Sequence, residues 1–130
     1  MSFSAIRVAI ESHIASNWTQ TPVQYENVDL DTKDMSEYIS INVLSGESVQ
    51  SSIGESGQYL TSGSLVIMIF TGIGSGSARA KTLADTLAGL FRGAKIGGVS
   101  FKVPSGNQVA STGSYYQFNL TVPFYSFFDM

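Results

Sequence analysis

Apolar residues recur at helical spacing in two stretches of this chain and alternate with polar residues in several others. Phe3, Ile6, Ile10 and Ile14 share one helical stripe, with Arg7, Glu11 and Ser12 on the other side. Ser2 or Ser4 can cap this helix, Asn17-Trp18-Thr19 ends it, and Pro22 prevents its continuation. Val23-Gln24-Tyr25 reads as a short strand, and Glu26 to Glu37 as an acidic loop. In Tyr38 to Leu44, Ile39, Ile41 and Val43 alternate with polar positions, the mark of a half-buried strand. Ser45 to Gln58 is rich in Ser, Gly and Glu and reads as a long, mobile hairpin connection or as ragged strand ends. Tyr59 to Thr71 is the strongest strand, broken by Gly72-Ile73-Gly74-Ser75-Gly76-Ser77. Ala80, Leu83, Leu87 and Leu90, with Ala84 and Phe91 beside them, mark a second helix that Arg92-Gly93 stops. Two β segments follow, Val99 to Val103 and Val109 to Ser111, punctuated by Gly97-Gly98 and Pro104-Ser105-Gly106-Asn107. The last strand, Tyr115 to about Phe124, sets Tyr116, Phe118, Leu120, Val122 and Phe124 against Gln117, Asn119 and Thr121.

This order predicts one domain over residues 1–130: an α+β two-layer sandwich, with a largely antiparallel β-sheet packed against two α-helices. One segment departs from the two-layer pattern. In Leu65-Val66-Ile67-Met68-Ile69-Phe70 both parities are apolar, whereas a sheet with one wet face alternates. Burying three such side chains is worth roughly 5–8 kcal/mol, so the second face calls for a cover. A curled sheet or a crossing helix would supply it from within; a second subunit would supply it from outside. Phe124-Tyr125-Ser126-Phe127-Phe128 adds apolar surface with no evident internal partner, which favours assembly.

Composition moves the picture the same way. The charged fraction is 13%, about half the usual value, while 43% of residues are hydrophobic. A surface of neutral polar groups lets copies approach with little charge penalty. A net charge of −3 with scattered basic residues argues against gripping nucleic acid through its phosphates. The chain has no cysteine, which removes disulfides, thiolate metal sites and thiol nucleophiles. Neither a basic-then-apolar leader nor an apolar run of ~20 residues is present, so the expectation is a soluble protein made in the cytoplasm.

Candidate chemistry is sparse. Gly72 to Ser77 sits where a phosphate loop would, but lacks the Gly-Lys-Ser/Thr ending, and Ser77 stands where the dinucleotide fingerprint needs Gly. Asp29, Asp31 and Asp34 suggest calcium, yet Asp34 occupies the glycine position of an EF-hand loop and Ser40 the position of its final Glu. His13, the one histidine, lies beside the helical stripe with no activating partner nearby, and Trp18 reads as packing. No serine sits in a Gly-x-Ser-x-Gly elbow. The expectation is a protein that is no enzyme and holds no cofactor or metal.

Several short words in this order resemble the small tail-terminator proteins of long-tailed bacteriophages. They are the opening Ser-Phe-Ser-Ala-Ile-Arg helix, Pro22-Val23 to Tyr25-Glu26-Asn27, the loop into Tyr38 to Leu44, Ala84-Asp85-Thr86-Leu87-Ala88-Gly89-Leu90-Phe91, and the terminal strand. The resemblance implies a homo-oligomeric ring, typically a hexamer. Such a ring caps the tail tube, presents a joining surface to the head connector, and lets DNA pass without specific binding or any membrane contact. It implies a place in the virion, at the head-proximal end of the tail, after synthesis in the host bacterial cytoplasm. On that reading Val66, Met68, Phe70, Phe124, Phe127 and Phe128 form the subunit interface. Glu26, Asp29, Asp31, Asp34 and Glu37 are candidates for the channel lining, where acids would repel passing phosphates. Ser48, Val49, Ile53 and Gln58, with Gly106 and Asn107, belong to loops that would contact the tail tube protein or the head–tail connector protein. Head-closure, tail-tube and tail-completion proteins share the size and composition. A small nucleotide- or ligand-binding module using Gly72 to Ser77 is the more distant alternative.

Overall fold

A computed structural model of the chain describes residues 3–25, 37–50, 58–72, 78–112 and 115–129. Helix α1 spans Phe3–Asn17 and α2 Ala78–Phe91. The strands are β1 Val23–Gln24, β2 Tyr38–Gln50, β3 Gln58–Gly72, β4 Lys95–Ile96, β5 Val99–Phe101, β6 Ser105–Thr112 and β7 Tyr115–Asp129. They form a seven-stranded, mostly antiparallel open sheet, ordered β1-β2-β3-β7-β5-β4, with β6 also paired to β7. Only the β1–β2 pair is parallel. The α+β sandwich read from the sequence is therefore the fold.

Register explains the core. Ile39 lies opposite Ile69, which lies opposite Phe118; Ile41, Ile67 and Leu120 form the next row, and Val43, Leu65 and Val122 the one after. These residues share one parity and one face. The helices bury Ile6, Ile10 and Ile14 of α1, and Leu83, Leu87 and Phe91 of α2, in a single cluster with that face. Ser4 lies inside α1 rather than capping it, and Ser2 is outside the described residues.

The joints follow from local chemistry. Trp18 extends the turn after α1 by donating its backbone N–H to the Ile14 carbonyl at 2.8 Å, and its indole N–H donates to Thr21 Oγ1 at 2.9 Å. Gly93 takes a positive φ of 64°, which glycine reaches without a Cβ penalty, and ends α2 where Arg92-Gly93 was expected to stop it. Gly97 and Gly98 both have positive φ between Ile96 and Val99, the requirement of a two-residue hairpin turn that follows the sheet's twist.

The strands run further than alternation predicts. β2 continues past Leu44 to Gln50 with a bulge between Ser45 and Ser48, and β3 begins at Gln58, so both described ends of the 45–58 connection are strand. The last strand continues past Phe124 to Asp129. Pro123 survives inside β7 because of a gap in the outer neighbour. Its carbonyl accepts from the Lys102 N–H at 2.8 Å. A strand residue points its C=O and N–H to the same side, so the missing N–H falls where β5 has ended and β6 has not begun.

Candidate functional site

Both described helices lie on one face of the sheet, which leaves the other without a helical cover among the described residues. The register places Tyr38 beside Phe70, Met68 between Ser40 and Asn119, and Val66 between Asn42 and Thr121. The Tyr38 and Phe70 rings stack at 4.6 Å and 15°. Further along, Tyr125 and Phe127 meet edge-on at 6.1 Å, with the Lys102 ammonium 5.6 Å from the Tyr125 ring centre. Val66, Met68 and Phe70 are half-buried, Ser40 is buried, and Phe127 remains 49% exposed. The double-sided apolar strand thus covers one side internally and presents the other, fringed by Ser, Asn and Thr.

The C-terminal aromatics divide by parity. Phe124 belongs to the helix-covered face: it is 1% exposed and meets Phe101 edge-on at 6.0 Å. Phe101 meets Phe91 at 5.1 Å, and Phe91 meets His13 at 5.3 Å. The expectation that Phe124 forms subunit interface is corrected, because this ladder and the core consume its ring. For Phe128 only the backbone pairing with Tyr59 is described.

The other expected sites scatter. Glu26, Asp29, Asp31, Asp34 and Ile53 lie outside the described residues, as do positions 73–77 of the glycine-rich turn. Glu37 is held by Arg79 at the start of α2: Arg79 Nη2 donates to Glu37 Oε1 at 2.6 Å and Arg79 Nε to Oε2 at 3.0 Å. The hydrogen bonds to Arg79 hold the Glu37 carboxyl below its ordinary range, against the smaller opposing effect of burial. An acid so paired contributes little bare negative charge to a channel wall. Ser48, Val49 and Gln58 fall in paired strand backbone, and Gly106 and Asn107 in exposed β6, so the expected loops are corrected to strand here. β6 contains the expected Val109 to Ser111 segment and extends it back to Ser105 through Ser, Gly, Asn and Gln, which carry no apolar alternation.

No catalytic arrangement emerges among the described residues. His13 Nε2 donates to the Leu90 carbonyl at 3.0 Å, which fixes the proton on Nε2 and leaves Nδ1 to accept from Asn17 Nδ2 at 3.3 Å. The imidazole thereby caps the end of α2 from α1, a structural task. A groove of about 330 Å³ between α2 and the β6–β7 hairpin is lined by Ala84, Ala88, Phe118 and Leu120, with Lys81, Asp85 and Arg92 at its rim. Sequence reasoning missed it, since only folding brings α2 to β6. Its charged groups form no nucleophile–base pair, and no described group of His, Asp or Glu could hold a metal. No described helix is long and apolar enough to cross a membrane.

Among the described residues the site is thus a two-layer unit with one sheet face free of helical cover and no nucleophile–base pair beside it. The chain belongs to the phage tail terminator protein family, whose model matches residues 5–124. It is thereby a member of a family of bacteriophage tail structural proteins. A solved structure resembles it over 97% of this chain and 96% of its own length, at 20% identity and a TM-score of 0.73, and supports the fold. No curated protein matches it.

Proposed function

We propose that the chain forms a homo-oligomeric ring, six copies in number, that caps the phage tail tube and offers the head connector its joining surface. The observation that carries this reading is the sheet face that no described helix covers, where Val66 and Met68 are half-buried and Phe127 is exposed. A monomer leaves that surface in water, whereas an assembly gives it neighbours. The ring acts by shape and contact: it ends tube growth by occupying the site of the next tube layer, and DNA passes its bore without sequence-specific contact. The segments carrying Ser48, Val49 and Gln58, and Gly106 and Asn107, supply the axial contacts. The acids Glu26, Asp29, Asp31 and Asp34 line the bore, with Glu37 contributing less because Arg79 neutralises it.

The test uses purified chain and purified tail tubes with open ends, imaged by negative stain. Extra density at one end of each tube, with tube growth arrested, is the expected result. Binding along the tube wall, or continued growth at saturating chain, would contradict the capping role.

A further inference from the structure

A ring of identical copies joined in one sense needs two unlike surfaces on each copy, because a patch that met its own kind would close a dimer and stop. The sheet face without a described helix supplies one of them. Its far end carries two aromatic rings, Tyr125 and Phe127, with centres 6.1 Å apart and Phe127 49% exposed. The exposed Lys102 holds its ammonium 5.6 Å from the Tyr125 ring centre. The second surface has to be apolar, concave and elsewhere on the molecule. The groove of about 330 Å³ between α2 and the β6–β7 hairpin has that form. Ala84, Ala88, Phe118 and Leu120 line it, and Lys81, Asp85 and Arg92 stand exposed at its rim. None of those three rim charges forms a salt bridge with another described residue. Val103, 70% exposed, precedes Pro104 of the groove wall and adds apolar surface beside it.

We infer, resting on the ring reading above, that the α2 groove of each copy seats Tyr125 and Phe127 of the next. The spacings agree. Tyr125 and Phe127 are two residues apart on a strand, ~6.6 Å at ~3.3 Å per residue. Ala84 and Ala88 are four apart on a helix, ~6 Å at ~1.5 Å per residue. Tyr125 set over Ala84 therefore carries Phe127 over Ala88, where the short side chains leave room for an aromatic ring. This seating brings Lys102, beside the Tyr125 ring, to Asp85, the neighbour of Ala84. The two charges are opposite, and neither has a salt-bridge partner among the described residues of its own copy. One further step along both elements sets position 129, an aspartate, level with Arg92.

Chain direction allows the fit. At the start of α2, Arg79 holds Glu37, the residue before Tyr38, which is level with Phe70 and Gln117. At its end, Phe91 meets Phe101, which lies opposite Phe124. Helix α2 therefore runs in the sense of β7. Rotation from one copy to the next in a six-membered ring turns any direction by no more than about 60°, so β7 of one copy and α2 of its neighbour keep a common sense. The contact is heterologous, the type that closes into rings. It also serves the rest of the sheet face. Tyr125 and Phe127 share a strand parity with Asn119 and Thr121, the partners of Met68 and Val66. A copy seated by its two rings thus turns Val66 and Met68 towards the helical layer of the next copy rather than towards water.

The absence of native cysteine makes cross-linking decisive. Asp85 and Lys102 point from opposite faces of the sheet, so cysteines at the two sites cannot bond within one copy. Assembled Asp85→Cys/Lys102→Cys chain, oxidised and run without reductant, is expected to give a covalent ladder ending at the full ring. Each single variant, and Val8→Cys/Lys102→Cys with the first site on the exposed side of α1, should give no ladder. Charge exchange supplies a second readout. Lys102→Glu and Asp85→Lys should each raise the concentration for half-assembly about ten-fold or more, and the two together should return it towards the parent value. Phe127→Ala should fold as the parent does and form no rings at concentrations where the parent assembles fully. Rings that fail to link through Asp85→Cys/Lys102→Cys, link equally through the α1 control, gain nothing from the exchanged pair, or persist in Phe127→Ala would overturn the seating while leaving the ring itself standing. A parent chain that forms no ring at any concentration would remove the reading beneath it and the seating with it.

Discussion

Replacing Phe124 with Ala tests whether the C-terminal aromatics serve the core or an outer surface. The ring is 1% exposed, packs edge-on against Phe101, and lies over Gly63, where a Cβ would come within 2.7 Å of it. Gly63 has no side chain to move into the space, so the cavity stays open. Removing a buried Phe costs about 3–5 kcal/mol, and poor relaxation places this site near 4 kcal/mol. For a chain of this length each kcal/mol shifts the thermal midpoint by roughly 3–5 °C, so the drop should be roughly 12–20 °C. Circular dichroism melts, with urea unfolding as a second measure, read it directly. Phe127→Ala, at a half-exposed position on the other face, should cost the monomer less than about 1 kcal/mol. A Phe124→Ala loss below about 1 kcal/mol, with assembly abolished, would refute the parity argument and return this ring to an interface.

Three further perturbations follow from named contacts. Glu37 has its carboxyl held below the ordinary range by Arg79, so the pair's stabilisation is in place above pH ~4.5 and fades as pH falls through the lowered folded value. With Arg79 40% exposed, solvent screening limits the effect to about 0.5–1 kcal/mol; the gap in thermal midpoint between parent and Glu37→Gln should be open at pH 7 and closed near pH 3, and a constant gap would contradict it. His13→Ala strips the Leu90 carbonyl of its donor and Phe91 of its edge contact, and should cost about 1–2 kcal/mol in urea unfolding. Thr71 Oγ1 and the neighbouring Tyr116 hydroxyl are buried with no partner among the described residues; Thr71→Val should therefore raise stability by up to about 1 kcal/mol, and a loss would reveal a bound water.

The parts of the fold visible in the sequence are those whose burial is one-sided. Ile6, Ile10 and Ile14 lie on one helical stripe, and Ile39, Ile41, Leu120 and Val122 alternate with polar neighbours, so period alone locates α1, β2 and β7. Leu65 to Phe70 announced two apolar faces but not what lies against each. Only the register, with Ile67 between Ile41 and Leu120, assigns one to the helices. β6 is visible only at Val109 to Ser111, since the exposed Ser105 to Gln108 are held by backbone pairing rather than by apolar side chains. β7 runs past the expected end near Phe124 to Asp129, and it carries Pro123, a residue normally foreign to sheet interiors, in the gap between β5 and β6. The candidate surface was half legible: Val66, Met68, Phe70 and Phe127 share the uncovered face, whereas Phe124 belongs to the core.

The central claim is that the folded chain is an incomplete unit that closes into a ring with its own copies. Native mass measurement of the purified chain over a range of concentrations tests it most directly. The account predicts a discrete species near six times the 13.9 kDa of one chain, replacing monomer as concentration rises, with annular particles in the same sample. A single-chain mass at every concentration, or an open series of masses with no preferred closed species, would contradict it.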